Sequence, residues 1–310
     1  MDVRQVLPRD AIPSVDDPAF GREYGGDPGD RAVVVEADPP RAYPLRILHH
    51  HEIVNDRVDG DPVAVTWCPL CGSAAVYSRV AGDRCLSFGV SGKLADDDLV
   101  MYDRETESEW KQSTGACIAG PLAGARLDAL PAAVTTLREF RAAHDGVVLQ
   151  PPGGASETAS ADDDPAPIDY GEHPYRAYFE VEGFGLDAHR GGEGREWDRA
   201  DLDSKDVVVG LVRDGDAVGV PEERVRDAGA VTVTVGGERV VVLATPAGLF
   251  AYDHPGFDLD PTGDGRFRGD GAVWAGATGE SDDGRRLDRV PARYAFAFAW
   301  QDDHGLDAFY

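Results

Sequence analysis

The chain has 310 residues, enough for one large domain or two smaller ones, and 57 acidic against 30 basic side chains give it a formal net charge of -27. Such a charge repels phosphate backbones and anionic lipids, so we expect neither nucleic-acid binding nor membrane insertion. Hydrophobic residues make up 42% of the chain, which argues against a disordered acidic protein and favours a folded one whose surface is adapted to high salt.

The first half of the chain predicts strands with two short helices. In chain order we expect a strand at 32–37, a helix opened by Pro44 in LRILHHHEIVN, strands at 62–67, 74–79, 86–90 and 99–102, and a helix at 135–143. A stretch at 151–173, rich in Pro, Gly, Ala, Ser and Asp, is typical of a linker.

The second half of the chain is also predicted to be rich in strands. It predicts strands at 207–212, 231–235, 240–244 and 248–252. Strands outnumber helices and no regular βαβ alternation is visible, so the sequence predicts a strand-rich α+β fold.

The two halves also resemble each other in sequence. RLDALPA at 126–132 matches RLDRVPA at 286–292, and Trp110 and Trp274 each open a W-x4-G pattern. We therefore predict two tandem, diverged copies of one unit. The expected division is an N-terminal extension (1–30), a first copy (31–150), the linker (151–173) and a second, degenerate copy (174–310).

The most informative motif is Cys68-Pro69-Leu70-Cys71-Gly72, directly after the strand at 62–67. Two Cys at this spacing suit a metal knuckle, a redox dithiol or a copper site, whereas c-type haem would need His in place of Gly72. The second copy has Thr245-Pro246 here and lacks the second Cys, so we expect the first copy alone to hold the site. Two buried Cys acting as small hydrophobic residues are the plain alternative.

Other candidate residues lie near this pair in sequence. His49, His50 and His51 would point about 100° apart on a helix, so at most two can face one site. Met101, the only internal Met, is either a core residue or a soft ligand. The run at 96–98 is interpreted as solvated acid, and a four-Cys zinc site including Cys85 and Cys117 is disfavoured because those two lack paired spacing.

Asn55 is the only Asn in a chain rich in Asp, which indicates that a neutral amide is required there. The chain begins without an apolar leader and has no apolar run of about 18 residues, so we expect a cytoplasmic protein.

Several of these stretches resemble the DUF3179 family, a domain of unknown function. They are RAYPLRIL at 41–48, HEIVND at 51–56, VTWCPLCGSA at 65–74, FGVSG at 88–92, LVMYDRET at 99–106 and GPLAG at 120–124. The resemblance covers about 7–150 and is less specific in the second copy. It implies that the following residues lie on motif positions: His51, Glu52, Asn55, Cys68, Cys71, Met101 and Asp103.

Three functions follow from these observations. The leading hypothesis is a transition-metal-binding protein, for copper or zinc, with Cys68, Cys71 and His51 as ligands and Met101 as an optional fourth. Glu52, Asn55 and Asp103 would support that site. The alternatives are a thiol-disulfide redox protein using the same Cys pair, and a non-catalytic binding or scaffold protein for a protein or small-molecule partner.

Overall fold

The computed structural model of the protein describes residues 1–160 and 164–310 and shows the expected strand-rich α+β fold. Residues 161–163 of the predicted linker lie outside the described part. The helices are α1 (Leu45–His51), α2 (Leu137–Ala143), α3 (Arg176–Glu180), α4 (Gly185–His189), α5 (Glu222–Ala228) and α6 (Ala297–His304), with a 3-10 turn at Glu157–Ala159.

The strands are short, and most belong to antiparallel hairpins. Up to residue 150 they are β1 (Val3–Gln5), β2 (Phe20–Gly21), β3 (Arg31–Val35), β4 (Arg41–Pro44), β5 (Ile53–Val58), β6 (Asp61–Cys68), β7 (Ser73–Ser78), β8 (Val80–Ala81), β9 (Arg84–Cys85), β10 (Phe88–Ala95), β11 (Asp98–Asp103), β12 (Glu109–Lys111), β13 (Ala116–Ala119), β14 (Ala133–Thr136) and β15 (Val147–Leu149). After it they are β16 (Ala155–Ser156), β17 (Ala166–Pro167), β18 (Val207–Arg213), β19 (Asp216–Pro221), β20 (Ala230–Val235), β21 (Glu238–Thr245), β22 (Gly248–Asp253), β23 (Asp260–Gly263), β24 (Arg266–Gly269), β25 (Ala272–Ala275) and β26 (Arg293–Phe296).

The largest difference from the sequence prediction is at the end of α1. The predicted helix continued through Asn55, but it stops at His51, and residues 53–58 form β5. Glu52 adopts a φ of 56°, which ends the helix, and its N–H donates to the Leu48 carbonyl. The β-branched Ile53 then starts a strand that pairs with β6, so tertiary pairing overrides the helical pattern.

One six-stranded sheet combines both halves of the chain. Its strand order is β19-β18-β26-β7-β6-β5, and β26 meets β7 where Tyr294 pairs with Ala74. The antiparallel meander β5–β6–β7, which carries the Cys pair at one end, is therefore extended by strands from the second half. Two hydrophobic clusters pack around this sheet, and one of them contains both Cys68 and Cys71.

The same local arrangement occurs in each half. In the first, β14, β3 and β4 lie side by side, and in the second β26, β18 and β19 do so in the same order. Helices α1 and α5 follow β4 and β19, and helices α2 and α6 follow β14 and β26. The predicted duplication and the division of the chain into two copies stay predictions.

No helix in the described part of the chain is long and apolar enough to span a lipid bilayer.

Candidate functional site

The Cys-x-x-Cys segment forms the tip of the β6–β7 hairpin. Cys68 ends β6 and pairs with Ser73, the first residue of β7. Gly72 adopts a φ of 54°, and a Cβ there would lie 2.6 Å from the Phe296 ring, so glycine is required at this position. The Phe296 N–H donates to the Cys71 carbonyl at 2.7 Å, so the second half of the chain holds the turn in place.

A second hairpin tip lies against the first. Asp96 and Asp97, both with positive φ, form the two-residue turn between β10 and β11. The interpretation of the run at 96–98 as solvated acid is wrong for two of its three residues. Asp97 is 5% exposed and Asp98 is 2% exposed, because the turn is folded onto the Cys segment rather than into water.

The two tips bring three potential metal ligands together. Three donor atoms lie within 4.8 Å of one another, one each from Cys68, Cys71 and Asp98, and all three side chains are buried. The two cysteines are not bonded to each other. Both sulfurs approach the Asp97 carbonyl oxygen, Cys71 at 3.4 Å and Cys68 at 4.0 Å. This group, which we call the sulfur–carboxylate cluster, has the size of a compact ion-binding site.

Burial controls the protonation of the sulfur–carboxylate cluster. It raises the pKa of both thiols above their ordinary value, so both are protonated at neutral pH. Burial also raises the pKa of Asp98 to about 6, and the nearby Lys111 ammonium opposes that rise. Asp98 Oδ2 accepts a hydrogen bond from the Ser113 N–H at 2.8 Å. Asp98 Oδ1 is buried and has no hydrogen-bond partner among the described residues.

Two further polar side chains hold the cluster in place, and no sequence pattern points to either of them. Gln112, fully buried, donates to Thr66 Oγ1 at 2.8 Å and accepts from Ser73 Oγ at 2.5 Å, which ties β6 to β7 beside the turn. Lys111, 7% exposed, forms an ion pair with the equally buried Asp303 at 2.6 Å and a weaker one with Asp96 at 3.4 Å.

The Lys111 ion pair gives a stability prediction. Lys111→Met removes the cation that Asp303 and Asp98 face, so two buried carboxylates lose their compensation, and we expect a loss of about 3 kcal/mol in the free energy of unfolding. Adding Asp303→Leu should recover the part of that loss that comes from Asp303, because a buried pair replaced by apolar residues of similar size is nearly neutral, while the part that comes from Asp98 should remain. Urea unfolding measures both variants; equal stability of Lys111→Met and wild type would contradict this role.

Both ring nitrogens of the predicted ligand His51 are hydrogen-bonded to groups other than the cysteines. Its Nδ1 is hydrogen-bonded to the Pro13 carbonyl at 2.8 Å and its Nε2 to the Tyr170 hydroxyl at 2.7 Å. It is therefore not part of the sulfur–carboxylate cluster. Met101, fully buried on β11, belongs to the same hydrophobic cluster as the two cysteines, and its role as a ligand stays a prediction.

Glu52 and Cys68 line one cavity of about 480 Å³, together with Glu157 and the Tyr175 ring. Most of the remaining wall is apolar, and His189 contributes to its rim. Burial raises the pKa of Glu52 to about 8, and Glu157 adds to that rise. Two carboxyl groups, Glu52 and Glu157, therefore share one cavity with Cys68, and Lys93 and Arg190 line it as well.

A protein-family sequence model described as "Protein of unknown function (DUF3179)" matches residues 9–306. The chain belongs to the DUF3179 family. The match continues through the second half, well beyond the 7–150 stretch in which the motifs are specific. No curated protein and no solved structure matches the chain.

In this DUF3179 protein Asn55 joins three segments of chain. Its amide nitrogen donates to Asp16 Oδ1 at 2.7 Å and to the Phe88 carbonyl at 2.8 Å, while its oxygen accepts from the Phe88 N–H at 2.9 Å. A carboxylate cannot donate, which gives a physical reason for the single Asn in the chain.

We expect Asn55→Asp to cost about 2 kcal/mol of unfolding free energy, because a buried carboxylate would face the Phe88 carbonyl and the Asp16 carboxylate without a proton to donate. The cost should shrink in acid, where the new carboxyl group is protonated and can donate once. Thermal unfolding across the acidic range checks this, and a variant as stable as wild type at neutral pH would show that the amide is dispensable.

The other residues considered from the sequence lie outside the cluster. Asp103, fully buried, accepts from the Trp110 indole N–H at 2.9 Å and from Thr106 at 2.6 Å, so it fixes the turn after β11. Cys85 is exposed and Cys117 is buried, and neither belongs to the sulfur–carboxylate cluster. The third potential ligand of this DUF3179 protein is thus Asp98, which the sequence analysis missed.

Proposed function

We propose that this protein binds a divalent transition metal, with zinc preferred, at Cys68, Cys71 and Asp98. The observation that carries the proposal is the buried Asp98 Oδ1 without a described partner, on a carboxylate whose donor atom lies within 4.8 Å of both sulfurs. A buried carboxylate oxygen without a hydrogen bond is costly, and a bound cation would remove that cost.

The distances support an ion of this size. Zinc bonds of about 2.3 Å to sulfur and about 2.0 Å to oxygen place tetrahedral ligand atoms about 3.3–3.8 Å apart. Ligand atoms within 4.8 Å of one another reach that spacing by small side-chain rotations at the two hairpin tips. Three protein ligands leave a fourth position, and Cys68 also lines the 480 Å³ cavity. An open position beside a cavity is the arrangement of a reactive rather than a purely structural ion.

The ligand set favours zinc over copper. A carboxylate oxygen is a hard ligand, and together with two thiolates it suits borderline zinc better than the soft monovalent copper ion. The sequence favoured copper because Met101 would add a soft thioether ligand and His51 an imidazole ligand. His51 is hydrogen-bonded to the Pro13 carbonyl and the Tyr170 hydroxyl, so the imidazole ligand that favoured copper is engaged away from the cluster.

Metal loading of purified, reduced protein tests the proposal. We expect the wild type to retain about one equivalent of zinc after dialysis, and Asp98→Asn to bind at least about 30-fold more weakly, since a ligand is lost. Asp187→Asn is the matched control, because it removes the same charge from an exposed site, and it should bind like the wild type. Retention below about a tenth of an equivalent by the wild type would overturn the proposal.

Zinc retention, measured together with the rate of thiol oxidation, separates metal binding from thiol-disulfide exchange. A redox dithiol needs a thiolate, whereas burial raises the pKa of both thiols here. The redox alternative therefore predicts rapid formation of a Cys68–Cys71 disulfide under mild oxidant and no zinc retention. Slow oxidation of metal-free protein, and protection of the thiols by zinc, would support the metal site.

A further inference from the structure

A different cavity, of about 420 Å³, lies between elements of the two halves of the chain. Helix α1 contributes Arg46 and His49 from the first half, and Tyr294 and Phe296 of β26 come from the second. We call it the inter-half cavity. Gly72 lines it, but neither Cys68 nor Cys71 does, so this cavity is distinct from the sulfur–carboxylate cluster.

The charges on the wall of the inter-half cavity are mostly positive. Arg31, Arg46 and Lys205 line it, against a single lining carboxylate, Asp30. That carboxylate is already engaged, because Asp30 Oδ2 accepts from the Tyr24 hydroxyl at 2.5 Å and lies 3.4 Å from Arg46. Arg31 also lies 3.8 Å from Glu222, so Lys205 carries the positive charge that no carboxylate on this wall balances, in a chain whose formal charge is -27.

Lys205 is the clearest case of a positive charge on this wall that no carboxylate neutralises. It is one of only three Lys in the chain, and the other two form ion pairs with carboxylates. The Lys205 ammonium instead donates to the Tyr178 and Val181 carbonyls and lies 4.0 Å above the Tyr178 ring. Among the described residues no carboxylate forms an ion pair with it. Carbonyl oxygens position this ammonium without neutralising it, so its charge is available to an anion.

Two neutral imidazoles add hydrogen-bonding capacity to the same wall. The rings of His49 and His173 lie 4.4 Å apart, and burial lowers the pKa of both, so they are uncharged at neutral pH. His49 Nδ1 accepts from the Trp67 indole at 3.2 Å, which leaves the His49 proton on Nε2. His173 Nδ1 is buried without a hydrogen-bond partner among the described residues. These are polar groups that a ligand would satisfy.

The rest of the wall is mainly apolar, with four aromatic side chains beside Leu45, Val134 and Val207. Trp67, Phe179, Tyr294 and Phe296 line the cavity and offer ring faces and edges to a flat ligand. A concave, mainly apolar site with a few convergent polar groups at the junction of two units is the usual form of a small-molecule site.

We propose that the inter-half cavity binds a small aromatic carboxylate, with its ring between the aromatic side chains and its carboxylate towards Arg31, Arg46 and Lys205. The paired donors of an Arg guanidinium match the two oxygens of a carboxylate, and the aromatic walls account for the ring. An inorganic anion would leave the aromatic wall unused, and an aromatic cation would be repelled by the three basic side chains.

Calorimetric titration of the full chain with benzoate tests this proposal. Acetate lacks the ring and benzylamine carries the opposite charge, so each should bind at least about tenfold more weakly than benzoate. Lys205→Gln should weaken benzoate binding at least about tenfold, because it removes a charge-assisted hydrogen bond. Arg22→Gln is the matched control: it deletes a positive charge at an exposed position outside the cavity and should change the affinity less than about twofold.

Arg31→Gln provides a second variant at a partly exposed position, in case Lys205→Gln unfolds the chain. Weaker binding by either cavity variant, with the Arg22→Gln control unchanged, supports the proposal. Absence of saturable benzoate binding to the folded wild type overturns it. Equal affinity for benzylamine, or an equal loss in Arg22→Gln, would also overturn it, since both would show attraction without a defined carboxylate site.

Discussion

Zinc at about 1,000 times its dissociation constant should raise the free energy of unfolding of this protein by about 4 kcal/mol, because an ion that binds only the folded state stabilises it by mass action. Cys68→Ser/Cys71→Ser should abolish the effect, since hydroxyl groups do not replace thiolates as zinc ligands. Thermal or urea unfolding with zinc and with a chelator measures the difference. Cys85→Ser/Cys117→Ser, which leaves the sulfur–carboxylate cluster intact, should keep the full shift.

The pH dependence of this stabilisation has a definite sign. Both thiols are protonated at neutral pH because burial raises their pKa, so each zinc ion displaces two protons. Zinc affinity should therefore rise with pH, by up to about 100-fold per pH unit while both thiols remain protonated in the free protein. An affinity independent of pH, or an equal zinc shift in Cys68→Ser/Cys71→Ser, would place the ion elsewhere in the molecule.

Local sequence patterns predicted the elements that depend mainly on local physics. The alternating segment at 62–67 became β6, and the Cys-x-x-Cys turn follows it directly. The predicted end of α1 was wrong because Glu52 adopts a positive φ that ends the helix, and Ile53 then pairs with β6. The end of the helix also separates neighbours in sequence: Glu52 lines the cavity beside Cys68, whereas His51 faces Pro13 and Tyr170.

Asp98 was missed for a different reason. In a chain with 57 acidic side chains, a run of three Asp is most simply a solvated turn, and two of its residues do form the turn itself. Its burial arises only when the β10–β11 tip meets the β6–β7 tip, a contact between segments about thirty residues apart. The one local signal was its place at the start of a strongly apolar strand, residues 99–102.

Glu52→Gln should make metal-free protein more stable in mild alkali, by up to about 4 kcal/mol. Burial raises the pKa of Glu52 from 4.5 to about 8. Below 4.5 the carboxyl is neutral in both states and contributes nothing to the pH dependence. Between 4.5 and about 8 it ionises when the chain unfolds but stays protonated when folded, so stability falls as pH rises. Gln keeps the size of the side chain and cannot ionise.

The difference between the two unfolding curves isolates this group from every other titration in the chain. Urea unfolding with a chelator present should give equal stabilities for Glu52→Gln and wild type in acid, and a gap that opens as pH increases towards about 8. Glu196→Gln, at an exposed position, should show no such gap. A pH-independent difference between Glu52→Gln and wild type would mean that the Glu52 carboxylate is already ionised at neutral pH. The 480 Å³ cavity would then hold a permanent negative charge beside Cys68, which would attract a cation more strongly than the protonated carboxyl group does.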